Sequence, residues 1–454
     1  MSDTSKLITL YFPILYFFND YGALCSFLCQ KPYFINENGN SLSHSSHLWS
    51  FCPNFCVYMQ ITFYLCGDII IINMKKILSV IGAIICSAMV TAQNLNQFKA
   101  LDDSLFRNNE SYVKSNKYQR DAMLFVDMLA DTHPYYIKKE RRDELFAKQG
   151  KLLDDCLKCN DDSTFAELLG ATLGELRDKH TDVIALGQLE AKKNKGNEKG
   201  QDLKSGNLSE VMTFKGNLFH YSIIPDHLLC YLQFNKCMDA RTMRNESLPR
   251  WDKMLDEMFA KMKEGGVKTL VVDAQYNNGG SSLLCDELLV RLRPKTELKD
   301  YSTYMRFSRL MAAYNPRTGV AKKAWEDKGH IDELYLVPAG KTRPNFVQPE
   351  VFNGKVIFVQ GKKTFSSAGI LMTLARDNNI GIIVGENSTY SPSHYGEVLP
   401  FRLPNTNVVG SVCCKYFVRP DSQHVDDKTL APDVVIDLSD KAKAWEKVLG
   451  LIGK

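Results

Sequence analysis

Two adjacent serines, Ser366 and Ser367, stand between a short β-branched and aromatic run, Val356 to Val359, and apolar residues Ile370, Leu371, Leu374 and Ala375 that recur at helical spacing. Gly354 and Gly361 bound the run, so Lys355 to Glu386 reads as strand, tight turn, helix, strand. A serine at that turn sits where unpaired backbone N–H groups and the positive end of the helix dipole gather, the environment that stabilises an oxyanion in acyl transfer. The plainer reading makes one of the serines an ordinary N-cap. Two further segments supply the missing parts of a hydrolytic site. Asn277-Asn278-Gly279-Gly280 follows the buried-type strand Lys268 to Asp273, and its glycines allow backbone to approach a ligand closely. His180 falls just past a helix carrying the stripe Phe165, Leu168, Leu169, Leu173 and Leu176, with Thr164 and Glu167 as a possible capping box. A histidine alone in a polar loop is most often solvated; paired with a serine at a strand-to-helix turn it becomes a candidate general base.

The elements that must position these residues fall into two stretches. Up to about Arg177 the chain is helix-rich, with helices expected near Gln119 to Ala130, Lys139 to Leu157 and Thr164 to Arg177; His133-Pro134 ends the first. From about Leu218, strands and helices alternate: a strand at His227 to Phe234, a helix from Pro249 to Lys263, a strand at Lys268 to Asp273, then the serine segment. That alternation implies an α/β domain. Glu190 to Lys204, rich in lysine and glycine, reads as a solvated loop.

Four blocks in order, Asp178-Lys179-His180-Thr181, Asp273 with Asn277-Asn278-Gly279-Gly280, Thr364-Phe365-Ser366-Ser367-Ala368, and Gly385-Glu386 leading to Tyr395-Gly396, resemble the carboxyl-terminal processing (tail-specific) serine peptidases. Leu430-Ala431-Pro432-Asp433-Val434 is similar to the block that closes that family's catalytic region. The likeness points to the branch that includes the tricorn core and the retinoid-binding protein of the retina. It implies a crotonase-like (Clp-like) α/β core, here preceded by a helical N-terminal domain and without a recognisable PDZ domain. Residue by residue, it implies Ser366 as nucleophile, Ser367 as one oxyanion donor and Gly279 or Gly280 as the other. The loop Asn387 to Glu397 lacks the lysine base of the serine–lysine branch, so the resemblance assigns the base to His180, with His394 as the alternative, and the orienting carboxylate to Asp426. Lys179 stands where the tricorn core has a serine. The implied function is peptide-bond hydrolysis through an acyl-enzyme, with no cofactor and no metal. An inactive binding protein on the same scaffold, or a hydrolase of a small ester or amide, are the alternatives.

Composition excludes some partners and bears on compartment. A net charge of +4 in 454 residues, with no basic patch interleaved with aromatics, gives no support for nucleic-acid binding. Residues 74–92 have the parts of a secretory signal: Lys75 and Lys76, an apolar stretch from Ile77 to Met89, and a small-residue cleavage site at Val90-Thr91-Ala92. A secretory signal belongs at a start codon, so Met74 is the expected initiator and residues 1–73 a spurious or non-mature extension; the competing reading, a membrane anchor, is opposed by Asn19, Asp20, Lys31 and Pro32, which interrupt the apolar runs before they could span a membrane. The processed chain would begin near Gln93 and work in the periplasm or outside the cell, acting on polypeptides without stable membrane insertion. The expected divisions are a helical domain over 93–182, a polar linker or insertion over 183–217, and a peptidase core over 218–454. Seven cysteines lie beyond the signal; Cys156 and Cys159 read as helix residues, and the adjacent Cys413 and Cys414 as strand residues facing opposite ways.

Overall fold

In the computed structural model, which describes residues 97–189, 218–340 and 344–452, the strands form two six-stranded sheets. The first is built from β3 (Phe219–Ile224), β4 (Leu229–Phe234), β5 (Thr269–Asp273), β8 (Lys355–Gln360), β9 (Ile382–Gly385) and β12 (Val434–Val435), in the order β12-β9-β8-β5-β4-β3. All neighbours are parallel except the edge pair β3 and β4. Strands covered on both faces read as continuous apolar runs, and β4 and β5 are buried at every position.

Alternation along those strands sorts their side chains into two cores. Cys230, Leu232, Leu270, Val272, Val356 and Phe358 face helices α4 (Trp251–Glu264), α5 (Ser282–Leu292) and α8 (Ser367–Asp377), meeting Trp251, Leu255, Leu288 and Leu371. Leu229, Tyr231, Val271, Ile357 and Val359 face the other way and pack with Ala444, Trp445 and Val448 of α9 (Lys441–Ile452). This doubly covered parallel sheet is the α/β core that the strand and helix alternation implied.

The second sheet is organised on an antiparallel pair, β10 (His394–Arg402) and β11 (Val408–Val418), in register Tyr395 with Tyr416 and Phe401 with Gly410. β2 (Asp182–Ala185) and β6 (Ser302–Met305) also pair with β11, β7 (Tyr335–Val337) with β6, and β1 (Lys99–Ala100) with β10; α6 (Arg309–Tyr314) and α7 (Pro316–Glu326) lie between β6 and β7 in the chain. The stretch before His180 forms α1 (Lys117–Thr132), α2 (Lys139–Cys156) and α3 (Asp162–Thr172), as its periodicity implied. The cap of α3 differs: Asp161, not Thr164, accepts from the N–H groups of Ser163 and Thr164.

Phe125, Leu129, Phe165 and Leu169 of the helices share one core with Phe401, Val408 and Val412 of the second sheet. Residues 183–185, expected as linker, belong to strand β2 within that sheet. Residues 190–217 of the expected insertion, the signal peptide at 74–92 and the segment 1–73 lie outside the described residues. Among the described residues no helix is long and apolar enough to cross a membrane.

Candidate active site

The two turns at the carboxyl ends of β5 and β8 are pinned to one another. Thr364 Oγ1 donates to the Ala274 carbonyl at 2.8 Å and the Phe365 N–H to the Asn277 carbonyl at 2.9 Å. Ser366 is thereby held at φ 55°, ψ −127° as the first flanking residue of α8, a conformation that side-chain-bearing residues seldom adopt and that costs on the order of 1–3 kcal/mol. Although it occupies the N-cap position, its hydroxyl makes no capping bond, which removes the plainer reading of that serine. Ser367 is committed: its Oγ donates to the Gly280 carbonyl at 2.7 Å. Its N–H opens the helix and has no intrahelical acceptor.

Glycine is required at 279. At φ 98° a Cβ there would lie 2.6 Å from Ser366 Cβ and 3.1 Å from the Ser367 nitrogen. The Gly279 N–H donates to Asn277 Oδ1 at 2.9 Å, whereas the Gly280 N–H has no partner among the described residues. Asp273 lies beneath the turn, fully buried, accepting from the Tyr231 hydroxyl and from the backbone and side chain of Gln275 at 3.0 and 2.7 Å.

The second sheet supplies the histidine. After a left-handed residue at Arg177, Asp178 to Thr181 crosses β11: Ser411 Oγ donates to the His180 carbonyl at 2.7 Å and the Cys413 N–H to Thr181 Oγ1 at 3.1 Å. The side chain of Asp178, 2% exposed, is the hub of this loop. Its Oδ1 accepts the His180 N–H at 2.9 Å and lies 3.4 Å from His180 Nδ1. Its Oδ2 accepts Thr181 N–H at 3.1 Å, Thr181 Oγ1–H at 2.6 Å and His133 Nε2–H at 3.2 Å. Burial opposes the charge on Asp178, but the hydrogen bonds from His133, His180 and Thr181 outweigh it and hold the carboxyl well below the usual range. His133 caps the end of α1 and takes the Tyr135 N–H on Nδ1 at 3.1 Å; burial lowers its pKa, so the neutral ring donates to Asp178. Burial and then the Asp178 charge push the Cys413 thiol up, keeping it protonated beside the carboxylate.

With Nδ1 turned to Asp178, the Nε2 of His180 is left as a buried atom with no hydrogen-bond partner, on a side chain 12% exposed. The ring stacks on Phe365, the residue before Ser366, with centroids 4.5 Å apart and planes at 26°. The serine turn and the histidine loop therefore meet, although Ser366 and His180 are not hydrogen-bonded to one another; catalytic hydrogen bonds often tighten only with substrate in place.

The remaining residues singled out from sequence fall elsewhere in the arrangement. His394 stacks 5.9 Å from His180, its Nδ1 on the Pro392 carbonyl at 3.1 Å, and burial lowers it to about 4. Lys179 turns away from the histidine and donates to the Thr389 carbonyl at 2.7 Å. Asp426 is exposed and its charge acts on Tyr416, while its neighbour Asp427 pairs with Arg419 at 3.1 Å. The carboxylate against His180 is Asp178, where Asp426 was expected. The signal for it was in the sequence: an aspartate two residues before a histidine can accept that histidine's own N–H and face its ring. His133, far away in the chain, carried no such signal.

Residues 229–436 match the model of peptidase family S41, a span that holds Ser366, the glycine turn and Asp426 but not His180. The fold is similar to mature CPAF complexed with lactacystin, at 13% identity over 74% of this chain and 97% of that one, with a TM-score of 0.51. A lipoprotein from Streptococcus agalactiae (9% identity, 74% and 96% covered, TM-score 0.46) and the photosystem II D1 C-terminal processing protease (12%, 75% and 98%, TM-score 0.42) are also similar. No curated protein sequence matches. The molecule is a serine-type peptidase, a hydrolase. The resemblance to the carboxyl-terminal processing peptidases drawn from the sequence is borne out over residues 229–436, the span that matches peptidase family S41.

Proposed function

We propose that this peptidase is exported and hydrolyses peptide bonds through an acyl-enzyme, with Ser366 as nucleophile, His180 as base and Asp178 as the group that holds the histidine. The observation that carries this reading is the unpartnered, buried Nε2 of His180, whose ring lies on the residue preceding a serine with an uncommitted hydroxyl. Ser366 Oγ attacks the carbonyl carbon while its proton passes to His180 Nε2. The C–N bond then breaks and His180 returns the proton to the leaving amine. Water repeats the sequence on the ester, releasing the acid and regenerating the serine. Asp178 fixes the proton on Nδ1 and stabilises the imidazolium. The N–H groups of Ser367 and Gly280 are the oxyanion donors in this scheme, because the Gly279 N–H is already engaged by Asn277.

The exported location rests on the signal-like residues 74–92, and N-terminal sequencing of the mature protein should begin near Gln93. The catalytic assignment is tested by digestion of a peptide mixture with two serine variants. Ser366→Ala should lose hydrolysis, while Ser367→Ala keeps a measurable fraction because its contribution is chiefly a backbone N–H. The reverse pattern would move the nucleophile to Ser367.

A further inference from the structure

Beside the serine turn opens a cleft of about 460 Å³ whose floor includes Phe365 and Asn278, the residues immediately before Ser366 and Gly279. Four of its lining residues are lysines, contributed by three separate places in the chain: Lys179 from the histidine loop, Lys236 after β4, and Lys362 and Lys363 after β8; none of the lining residues is acidic. Among the described residues, Lys362 is the one of these lysines with a carboxylate partner, Glu386 at 3.2 Å. Lys179 is held on a carbonyl and Lys236 on the Asn278 side-chain oxygen, both neutral acceptors. Lys363 lies 6.0 Å from the centre of the Tyr276 ring, and Lys441 from the last helix approaches the same ring at 4.9 Å. Among the described residues three cleft lysines thus have no counter-charge.

Collecting like charges around one cavity is unfavourable, and burial already disfavours the charge on Lys236. Surface lysines elsewhere on this protein are commonly paired, for example Lys139 with Asp143 and Lys261 with Glu257. Lys179 and Lys236 are instead positioned by neutral oxygens, which orient an ammonium group without neutralising it. The opening adjoins Phe365, on which the His180 ring is stacked, so a group seated there lies within a few residues of a peptide bond presented to Ser366; extended chain advances about 3.3 Å per residue.

We propose that this cleft is a specificity subsite for carboxylate side chains, so that the peptidase selects polypeptides with Asp or Glu near the scissile bond. This rests on the peptidase reading of the same site. A free terminal carboxylate offers the same chemistry, and the experiment separates the two sources.

The test uses fluorescein-labelled peptides that differ only in Glu or Gln at the positions flanking the expected cleavage point, each with amidated and free carboxyl termini. Binding is measured by anisotropy to the full chain carrying Ser366→Ala, and hydrolysis with the unaltered enzyme. Amidated Glu peptides should bind about tenfold or more tighter than their Gln counterparts at low salt. The gap should close near 1 M salt, where the screening length falls to about 3 Å. Lys363→Glu, a change at an exposed position, should shrink or invert the preference. Equal binding of amidated Glu and Gln peptides, or a preference that follows only the free terminus, overturns the proposal. Equal cleavage of Glu and Gln peptides leaves the catalytic reading standing and rejects the subsite, whereas a protein that binds Glu peptides selectively yet cleaves none keeps the subsite and loses the catalytic reading.

Discussion

The serine turn and the histidine loop reach the same place by different physical means. Around Ser366 the chain is held by backbone: a buried parallel sheet, two turns bonded main chain to main chain, and a glycine whose missing Cβ leaves room for the serine. Around His180 the chain is held by side chains. Asp178, Thr181, Ser411 and the distant His133 converge through hydrogen bonds on a loop that has little regular structure of its own. A site made of backbone tolerates almost no added volume at its tight positions, whereas a network of side chains loses function in steps as its members are removed.

Gly279→Ala tests the backbone half and should have the largest effect. The added methyl meets the serine turn at 2.6 Å and the residue carries φ 98°, so turnover should disappear and stability should fall by roughly 2 kcal/mol or more, read from urea unfolding. Near-normal activity would mean that the turn is softer than its contacts indicate.

Asp178→Asn tests the side-chain half. A drop in kcat of about 10²- to 10³-fold with little change in KM is expected, because the base remains but its tautomer and imidazolium lose support. Asp426→Asn should change kcat by less than about threefold; if their effects were exchanged, the distal carboxylate would be the orienting group. The same variant carries a linkage signature. The Asp178 carboxyl is held below its unfolded value of about 3.9, so the stability it contributes is fully present above that pH and is lost progressively as pH falls. The unfolding free energies of wild type and Asp178→Asn should therefore converge on acidification. A gap that widened instead would contradict the assigned hydrogen bonds.

The smallest effect belongs to His394→Ala. Its ring, lowered to about 4 by burial and fixed on Pro392, is a packing neighbour of His180 in this account. Turnover should fall only modestly and the acid limb of the pH profile should keep its position. An acid limb near pH 4 that shifted in this variant would make His394 the base.

The contrast between the two halves also explains what could be read from sequence. A strand, a glycine-bounded turn and a helix are local patterns, so the serine segment and the buried strands of the first sheet were legible to within a residue or two. The capping of α3 was misread because Asp161, Asp162, Ser163 and Thr164 are all competent caps and only the start of the helix selects among them. The second sheet was hardly visible: β2 fell in what read as linker, and its partner β11 lies more than two hundred residues away in the chain. Asp178 belonged to a recognised block yet its role depends on a loop geometry, and His133 reaches it only through the folding of α1 onto that sheet.

The most direct test of the central claim is the rate and site of modification by a fluorophosphonate, which reports activation of the serine independently of any peptide sequence. Mass spectrometry should place the label on Ser366, and His180→Ala should slow the reaction by about a thousandfold, since a serine hydroxyl without an adjacent base is a weak nucleophile. Label on Ser367, or an unchanged rate in His180→Ala, would contradict the account.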